Sequence, residues 1–456
     1  MMKSVLFWKI TTLLGLMVVM LIPIAQLMSV IDERSGYRQS VVGQVSESTS
    51  GAQRVLGPLI VIPYVEREEK KDEKGQTVVQ RVQHHRYLLP ESLQVQGAPN
   101  VEVRKLGIYQ TQVYQGPLNF KVRFGQPELT DLQRANVTVG QPFLLVALSD
   151  SRGIKSISPL ATPQPVAFEP GTGVGSLRQG IHAPLTLAAL QQKAGLSADF
   201  TLTLAGTSSL SLVPLGRSSE LQLQSNWPHP NFLGNFLPDE RKVTEQGFSA
   251  RWRSTWFANN INSAFHYDDG IIDEDKLPAF SANLVEPVDH YQLTERAVKY
   301  ALLFIGLTFM AFFLFETLTG LRVHPIQYLL VGAALVLFYL ILLAFSEHLG
   351  FALAYLAASI ACSGLIGFYL SAVLRGKLRG ALFAASLLLL YGVLYLLLQS
   401  EDNALVLGAG LLFAILAGIM LLTRKLDWYQ VADPARLAKE TPAGEDEPRF
   451  RQIGRA

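Results

Sequence analysis

The sequence predicts an α-helical membrane protein with six transmembrane helices and a large β-rich domain inserted after the first of them. Three observations predict it. Apolar runs of about 20 residues, long enough to cross a hydrocarbon core of about 30 Å as helices, occur once near the N-terminus and then in close succession before Arg424. The stretch between the first and second runs is mostly polar and breaks into short segments rich in Val, Ile, Thr and aromatic residues. The connections among the later runs are too short for anything but helical hairpins, and their charges alternate in sign.

Taken in order, the spans are residues 10–29, 297–318, 326–346, 351–373, 381–400 and 404–423. Residues 1–30 then hold a cytoplasmic N-terminus and the first helix, and 31–296 a periplasmic β-rich domain large enough to divide into two subdomains. Residues 297–423 form a helical bundle, and 424–456 a cytoplasmic tail whose Pro, Glu, Ala and Arg content from residue 433 onward predicts disorder. Arg322 follows the second span, Arg375, Lys377 and Arg379 follow the fourth, and Arg424 with Lys425 follow the sixth. Glu347 with His348, and Glu401 with Asp402, occupy the alternate loops. Short basic loops stay in the cytoplasm, so both termini are expected inside and residues 32–296 on the far side. Lys3 and Lys9 ahead of the first span agree, and no odd number of spans reproduces the alternation. The N-terminal run has the outline of a signal peptide, but Pro23-Ile24-Ala25 puts proline where cleavage needs a small residue and the apolar run continues to Val30. An uncleaved anchor is expected, and the helical character of residues 31–47 predicts that the first helix continues beyond the span.

In the polar stretch, strands are predicted over residues 59–65, 78–89, 108–114, 118–124, 143–149, 200–204, 210–213, 220–224 and 248–256. Gly57-Pro58, Gly116-Pro117 and Trp227-Pro228-His229-Pro230 punctuate them, which suggests an antiparallel sandwich or a barrel-like arrangement. The charged residues 66–75 have nothing to pack a core and read as the tip of a long hairpin. The single cysteine, Cys362, falls inside the fourth span, so the polar domain has no disulfide and must rest on its core. The net charge of +2 says little about partners, and the basic residues are not concentrated into a nucleic-acid face.

Few motifs carry chemistry. Gly171-Thr172-Gly173-Val174-Gly175 has the glycines of a phosphate loop but neither a strand leading in nor a following lysine, and reads as a plain loop. Asp268, Asp269, Asp273, Glu274 and Asp275 around Gly270 suit a loose calcium site, though an EF-hand register fails and a solvated loop is the simpler reading. His84, His85, His182, His229, His266 and His290 show no zinc-site spacing, and no Gly-x-Ser-x-Gly elbow occurs. No catalytic, cofactor-binding or metal-ligating residue is therefore assigned. Within the spans, Glu316 is the residue to weigh. A carboxylate there costs about 2.5–3.5 kcal/mol toward a helix centre, but Glu316 sits about one turn from the span end, where Arg322 or His324 can pair with it. Anchoring is the expected role, and proton or ion handling the alternative. The spans otherwise carry few polar groups, while Ala354, Ala358 and Cys362, and Gly410, Ala414 and Gly418, recur at four-residue spacing and predict close helix packing. The turn-rich aromatic blocks at 227–234 and 247–252, with Trp227 and Trp252, read as core packing or as a partner-binding edge.

Several blocks carry a family resemblance: residues 286–300 (EPVDHYQLTERAVKY) leading into 301–316, then 324–332 (HPIQYLLVG) and 346–351 (SEHLGF). In the polar domain, Gly57-Pro58-Leu59, Ile62-Pro63-Tyr64, 227–232 (WPHPNF) with Gly234, and 247–252 (GFSARW) belong with them. Together they resemble the CreD family of inner-membrane proteins over nearly the whole chain. The resemblance implies a role in cell-envelope integrity under the control of a two-component system that answers envelope and metabolic stress, with links to the β-lactam response. It implies no cofactor and transfers no functional residue. The function expected is a non-enzymatic inner-membrane protein presenting a periplasmic binding or sensing domain, with the lipid bilayer and an envelope protein or cell-wall component as partners. A membrane enzyme acting on peptidoglycan or lipid, and a transporter or channel, are the alternatives.

Overall fold

A computed structural model of the chain describes residues 5–71, 77–162, 164–177, 179–259, 261, 265, 276–284, 290–319, 323–400 and 404–424. The acidic run at 268–275 and the tail from 433 lie outside the described residues. Two compact units emerge, Met1–Gly36 with Val288–Ala456, and Tyr37–Pro287.

The Tyr37–Pro287 unit is a sandwich of two mixed sheets. Across the first lie Pro230–Asn231, Phe280–Leu284, Ser209–Leu212, Gln53–Lys71, Phe143–Leu148, Gly180–Pro184 and Glu169–Pro170, with Thr77–Leu88 and Val137–Val139 also paired to Gln53–Lys71. Across the second lie Glu240–Thr244, Gly247–Thr255, Ser218–Ser225, Ser92–Gly97, Tyr109–Phe124, Leu196–Thr207 and Ile154–Ile157, with Asn100–Leu106 on Tyr109–Phe124. Two pairings are parallel, Gln53–Lys71 with Ser209–Leu212 and Ser218–Ser225 with Ser92–Gly97, so the expectation of an antiparallel sandwich holds for most of the ladder but not all of it.

The inner faces share one core, in which Val55, Ile60 and Ile62 of the first sheet meet Phe120, Phe200 and Trp252 of the second. Phe120 and Phe200 are register partners and stack at 4.6 Å, while Trp252 stacks on Phe280 at 6.3 Å and meets Phe232 edge-on at 5.5 Å. The outer face of the first sheet is covered too: Leu56, Leu59 and Val61 pack with Leu145, Val174 and Leu177. Burial on both faces explains why residues 59–62 read as continuously apolar rather than alternating. Gly57, at φ 123°, opens a bulge in this strand, and a Cβ there would lie 2.8 Å from the Leu145 carbonyl oxygen, so only glycine fits.

Two predicted strands, 108–114 and 118–124, are one strand, Tyr109–Phe124. Gly116-Pro117 reads as a break, but the missing Pro117 N–H falls opposite Ala98-Pro99, where the partner strand itself changes from Ser92–Gly97 to Asn100–Leu106. Ala98 N–H then donates to the Pro117 carbonyl at 3.1 Å. Ser92–Gly97 escapes sequence reading because only Leu93, Val95 and Gly97 point inward and the rest is polar. The side chain of Asn226 substitutes for a strand, accepting from Val101 N–H at 2.7 Å and donating to the Val101 carbonyl at 3.0 Å. Residues 53–71 and 77–88 form the long hairpin predicted around the charged stretch.

The first helix runs Val5–Ser48, of which the part up to Gly36 belongs to the other unit, and continues past its apolar span as predicted. Among the described residues, four helices are long and apolar enough to cross a membrane: Phe7–Ser48, Pro325–Leu349, Phe351–Val373 and Lys377–Gln399. The expected span at 297–318 differs. It is Ala301–Thr319, bent by 46° from a separate helix, His290–Lys299, with Tyr300 between them. The reason is amphipathicity: Tyr291, Thr294, Ala297 and Val298 are buried, whereas Glu295, Arg296 and Lys299 are polar. The expected last span is the helix Ala404–Thr423, of which Val406–Leu421 is a shorter apolar helix.

Small residues set the packing. Met17 lies against Gly306, and Met20 against Gly332. Phe351–Val373 and Lys377–Gln399 cross where a Cβ on Gly380 would sit 2.6 Å from the Gly367 carbonyl oxygen. The ridge of Ala354, Ala358 and Cys362 is buried as predicted, with the Cys362 thiol donating to the Ala334 carbonyl at 3.3 Å. The second ridge does not follow. Gly410 and Ala414 are exposed and a Cβ on Gly410 or Gly418 would meet nothing within 4 Å, so this stripe packs no neighbour among the described residues.

Candidate functional site

Glu316 is buried, at 3% exposure. One carboxylate oxygen takes the ammonium of Lys9 and the Val323 N–H at 2.7 Å, and the other accepts from the Tyr328 hydroxyl at 2.8 Å. Tyr328 is itself fixed between Phe309 and Phe312. The carboxylate is thus supplied with donors and a countercharge, as a buried charge requires. The partner expected from the sequence, His324, does something else. Its Nδ1 accepts from Ile326 N–H at 3.3 Å, and Gln327 Oε1 accepts from His324 N–H at 3.1 Å, so it closes a capping box on the Pro325–Leu349 helix. Arg322 lies outside the described residues. Sequence reasoning found Glu316 but missed Lys9, because nothing local links residues 307 positions apart.

The spans hold more polar groups than their composition suggests. Tyr339, Tyr355 and Tyr391 converge with Cys362 inside the bundle: Tyr355 donates to the Tyr391 carbonyl at 2.7 Å and Tyr391 to the Cys362 sulfur at 3.4 Å. The Tyr339 hydroxyl and the Ser363 hydroxyl are buried with no partner among the described residues. The signal was available in principle, since three tyrosines at interior positions of apolar helices need acceptors.

In the β unit, Trp252 is fully buried, so it is a core residue and offers no partner surface. Trp227 is half-buried against the same core, with its indole N–H on the His229 carbonyl at 3.1 Å. The glycine-rich segment at 171–175 is not a phosphate cradle. The Thr172 hydroxyl donates to the Val174 carbonyl at 3.0 Å and engages Leu177, and the Gly171 carbonyl binds His182 Nδ1 at 2.8 Å, which occupies the turn's polar groups internally.

A cleft of about 310 Å³ opens between Arg86, Tyr87, Glu91, Phe124, Arg217 and Trp256. Its floor is the outer face of the first sheet, where Tyr87 meets Phe265 edge-on at 5.7 Å. Arg217 lies over the Trp256 ring at 4.3 Å, and Arg86 pairs with Asp131 at 3.7 Å. A guanidinium over an aromatic face, with a second arginine in the lining, suits an anionic group attached to a flat or sugar-like body. Arg217 and Trp256 were not singled out from the sequence. They lie 39 residues apart, and Trp256, the first residue of the short helix after the Gly247–Thr255 strand, is brought to Arg217 by its N–H donating to the Arg217 carbonyl at 3.1 Å.

Comparison with known proteins gives a consistent picture. A family model described as Inner membrane protein CreD matches residues 5–429. Inner membrane protein CreD of Escherichia coli (strain K12) is 47% identical over 451 residues, covering 99% of this chain and all of that protein.

Proposed function

We propose, from the premise that the chain belongs to the CreD family of inner membrane proteins, that it supports the cell envelope by binding an acidic envelope component in its β unit, without turning it over. The observation that carries this reading is the cleft at Arg86 and Arg217 against Trp256, which supplies cationic recognition and an aromatic platform. An enzyme acting on peptidoglycan or lipid would need an acid and a base facing each other across such a cleft. Among the described lining residues, Glu91 is the single carboxylate and no histidine faces it. A transporter would need Glu316 open to a pathway, whereas Lys9, Val323 and Tyr328 hold it in place.

In this reading the chain crosses the inner membrane six times, both termini are cytoplasmic and the β unit is periplasmic. The amphipathic helix His290–Lys299 lies at the outer interface, with Arg296 and Lys299 reaching the headgroups. The bundle is the anchor and relays the state of the β unit toward stress-response components.

The test is binding of muramic-acid-containing cell-wall fragments to the purified full chain, followed by calorimetry and by chemical analysis of the recovered fragment. The reading expects saturable binding that Arg217→Ala weakens by about tenfold, in line with loss of one charge-assisted contact, and an unaltered fragment. Turnover that disappears on mutation of a cleft residue would establish an enzyme instead. Crosslinking in cells from Phe257, which is 88% exposed beside Trp256, identifies a protein partner if the ligand is not a glycan.

A further inference from the structure

We propose that the Gln53–Lys71/Thr77–Leu88 hairpin carries a site for a divalent transition-metal cation, zinc by preference, formed by Glu66, Glu68 and His84. Side chains alternate across a strand, so residues 64, 66 and 68 share one face. The register pairs Tyr64 with His84 and Glu66 with Val82, which sets His84 diagonal to Glu66 on that face. One ligand atom from each of Glu66, Glu68 and His84 lies within 4.8 Å of the others. Ligands at about 2.0–2.2 Å from a zinc ion stand a little over 3 Å apart. Side-chain rotation alone closes the remaining gap, since Glu68 is exposed and free to turn about three torsions.

The other two ligands are already oriented. The His84 ring stacks on Tyr64 at 5.2 Å and its Nε2 is shielded from solvent. Asn136 donates to one oxygen of Glu66 at 3.0 Å, and Arg134 stands 3.9 Å from the same oxygen, which leaves the second oxygen for a ligand. This is the outer-shell support that metal-binding carboxylates use. Two carboxylates this close also repel, and a cation between them converts that repulsion into binding. The donor set is one imidazole and two carboxylates. It favours zinc or manganese over calcium and magnesium, which take oxygen ligands alone, and three protein ligands leave a position open to solvent. The sequence conceals the site because the ligands come from two strands, Gln53–Lys71 and Thr77–Leu88.

Equilibrium dialysis of the purified, chelator-stripped full chain against zinc tests the site. Loss of a group that merely orients a ligand costs about 10- to 100-fold in affinity, so loss of a ligand should cost at least about tenfold. One zinc per chain is expected, with that loss in both Glu68→Gln and His84→Ala and none in His182→Ala. Glu68→Gln alters an exposed side chain, so its result does not depend on refolding. Wild-type protein that binds no zinc, or binds it as tightly as either of the two ligand variants, overturns the proposal.

Discussion

At the scale of single residues, the buried carboxylate of Glu316 sets the sharpest expectation. Breaking a buried pair costs about 3–5 kcal/mol, and Lys9 is 30% exposed, so Lys9→Met is expected to cost roughly 2–3 kcal/mol. Glu316→Gln should cost a similar amount, and the double variant less than the sum of the two, as coupled partners require. Thermal unfolding of the detergent-solubilised chain measures this. Asp150 gives a pH-dependent counterpart. Arg152 donates to its carboxylate from the backbone at 3.0 Å and from the guanidinium at 2.6 Å, and this holds the carboxyl below the usual aspartate range. A depressed folded-state value means that the stabilisation is complete above the ordinary aspartate range and is lost as pH falls below it. Asp150→Asn is therefore expected to lose about 1–3 kcal/mol near neutrality and to match the parent in acid, read from urea midpoints by tryptophan fluorescence. Sequence inspection reaches Glu316 because a charge in an apolar run is conspicuous. It leaves Trp252 open between core and partner edge because an aromatic between Gly247 and Thr255 looks the same whether it faces in or out.

At the scale of elements, the helices are the most legible part. The spans at 351–373 and 404–423 coincide with the helices found, since charges or glycine end each apolar run abruptly. The break at Tyr300 is less visible, because an amphipathic helix leading into an apolar one leaves a continuous helical pattern. Strands were located where one face is apolar, and lost where polar residues fill a central position, as in Ser92–Gly97. The tight crossing at Gly367 and Gly380 and the open stripe at Gly410 give a paired prediction. Gly380→Leu drives a side chain into the Gly367 backbone and is expected to cost about 1–3 kcal/mol or to displace the helix. Gly410→Leu meets open space and should stay within about 0.5 kcal/mol. Melting temperatures of the two variants in one detergent decide between them.

At the scale of the whole molecule, the sequence order is the organising fact: the β unit occupies residues 37–287 between the two parts of the helical unit. That insertion was legible from hydropathy alone, whereas the cleft was not, because its walls come from strands and turns that only the sandwich brings together. The charge pattern of the loops makes an orientation prediction. Alkaline phosphatase fused after residue 150 is expected to be active and after residue 424 inactive. Exchanging Arg375, Lys377 and Arg379 for glutamate should disturb the insertion of the flanking spans, read from the same fusions.

The Lys9 to Glu316 contact also has a consequence in time. At about 5–20 residues per second, a ribosome releases Glu316 roughly 15–60 s after Lys9, a separation of 307 residues. Through that interval the β unit must be synthesised, and the first helix must wait with its ammonium still without its carboxylate partner. Assembly of the helical unit is thus one of the last events of biogenesis, and a chain truncated before residue 316 is marked as incomplete by an unanswered charge at its own beginning.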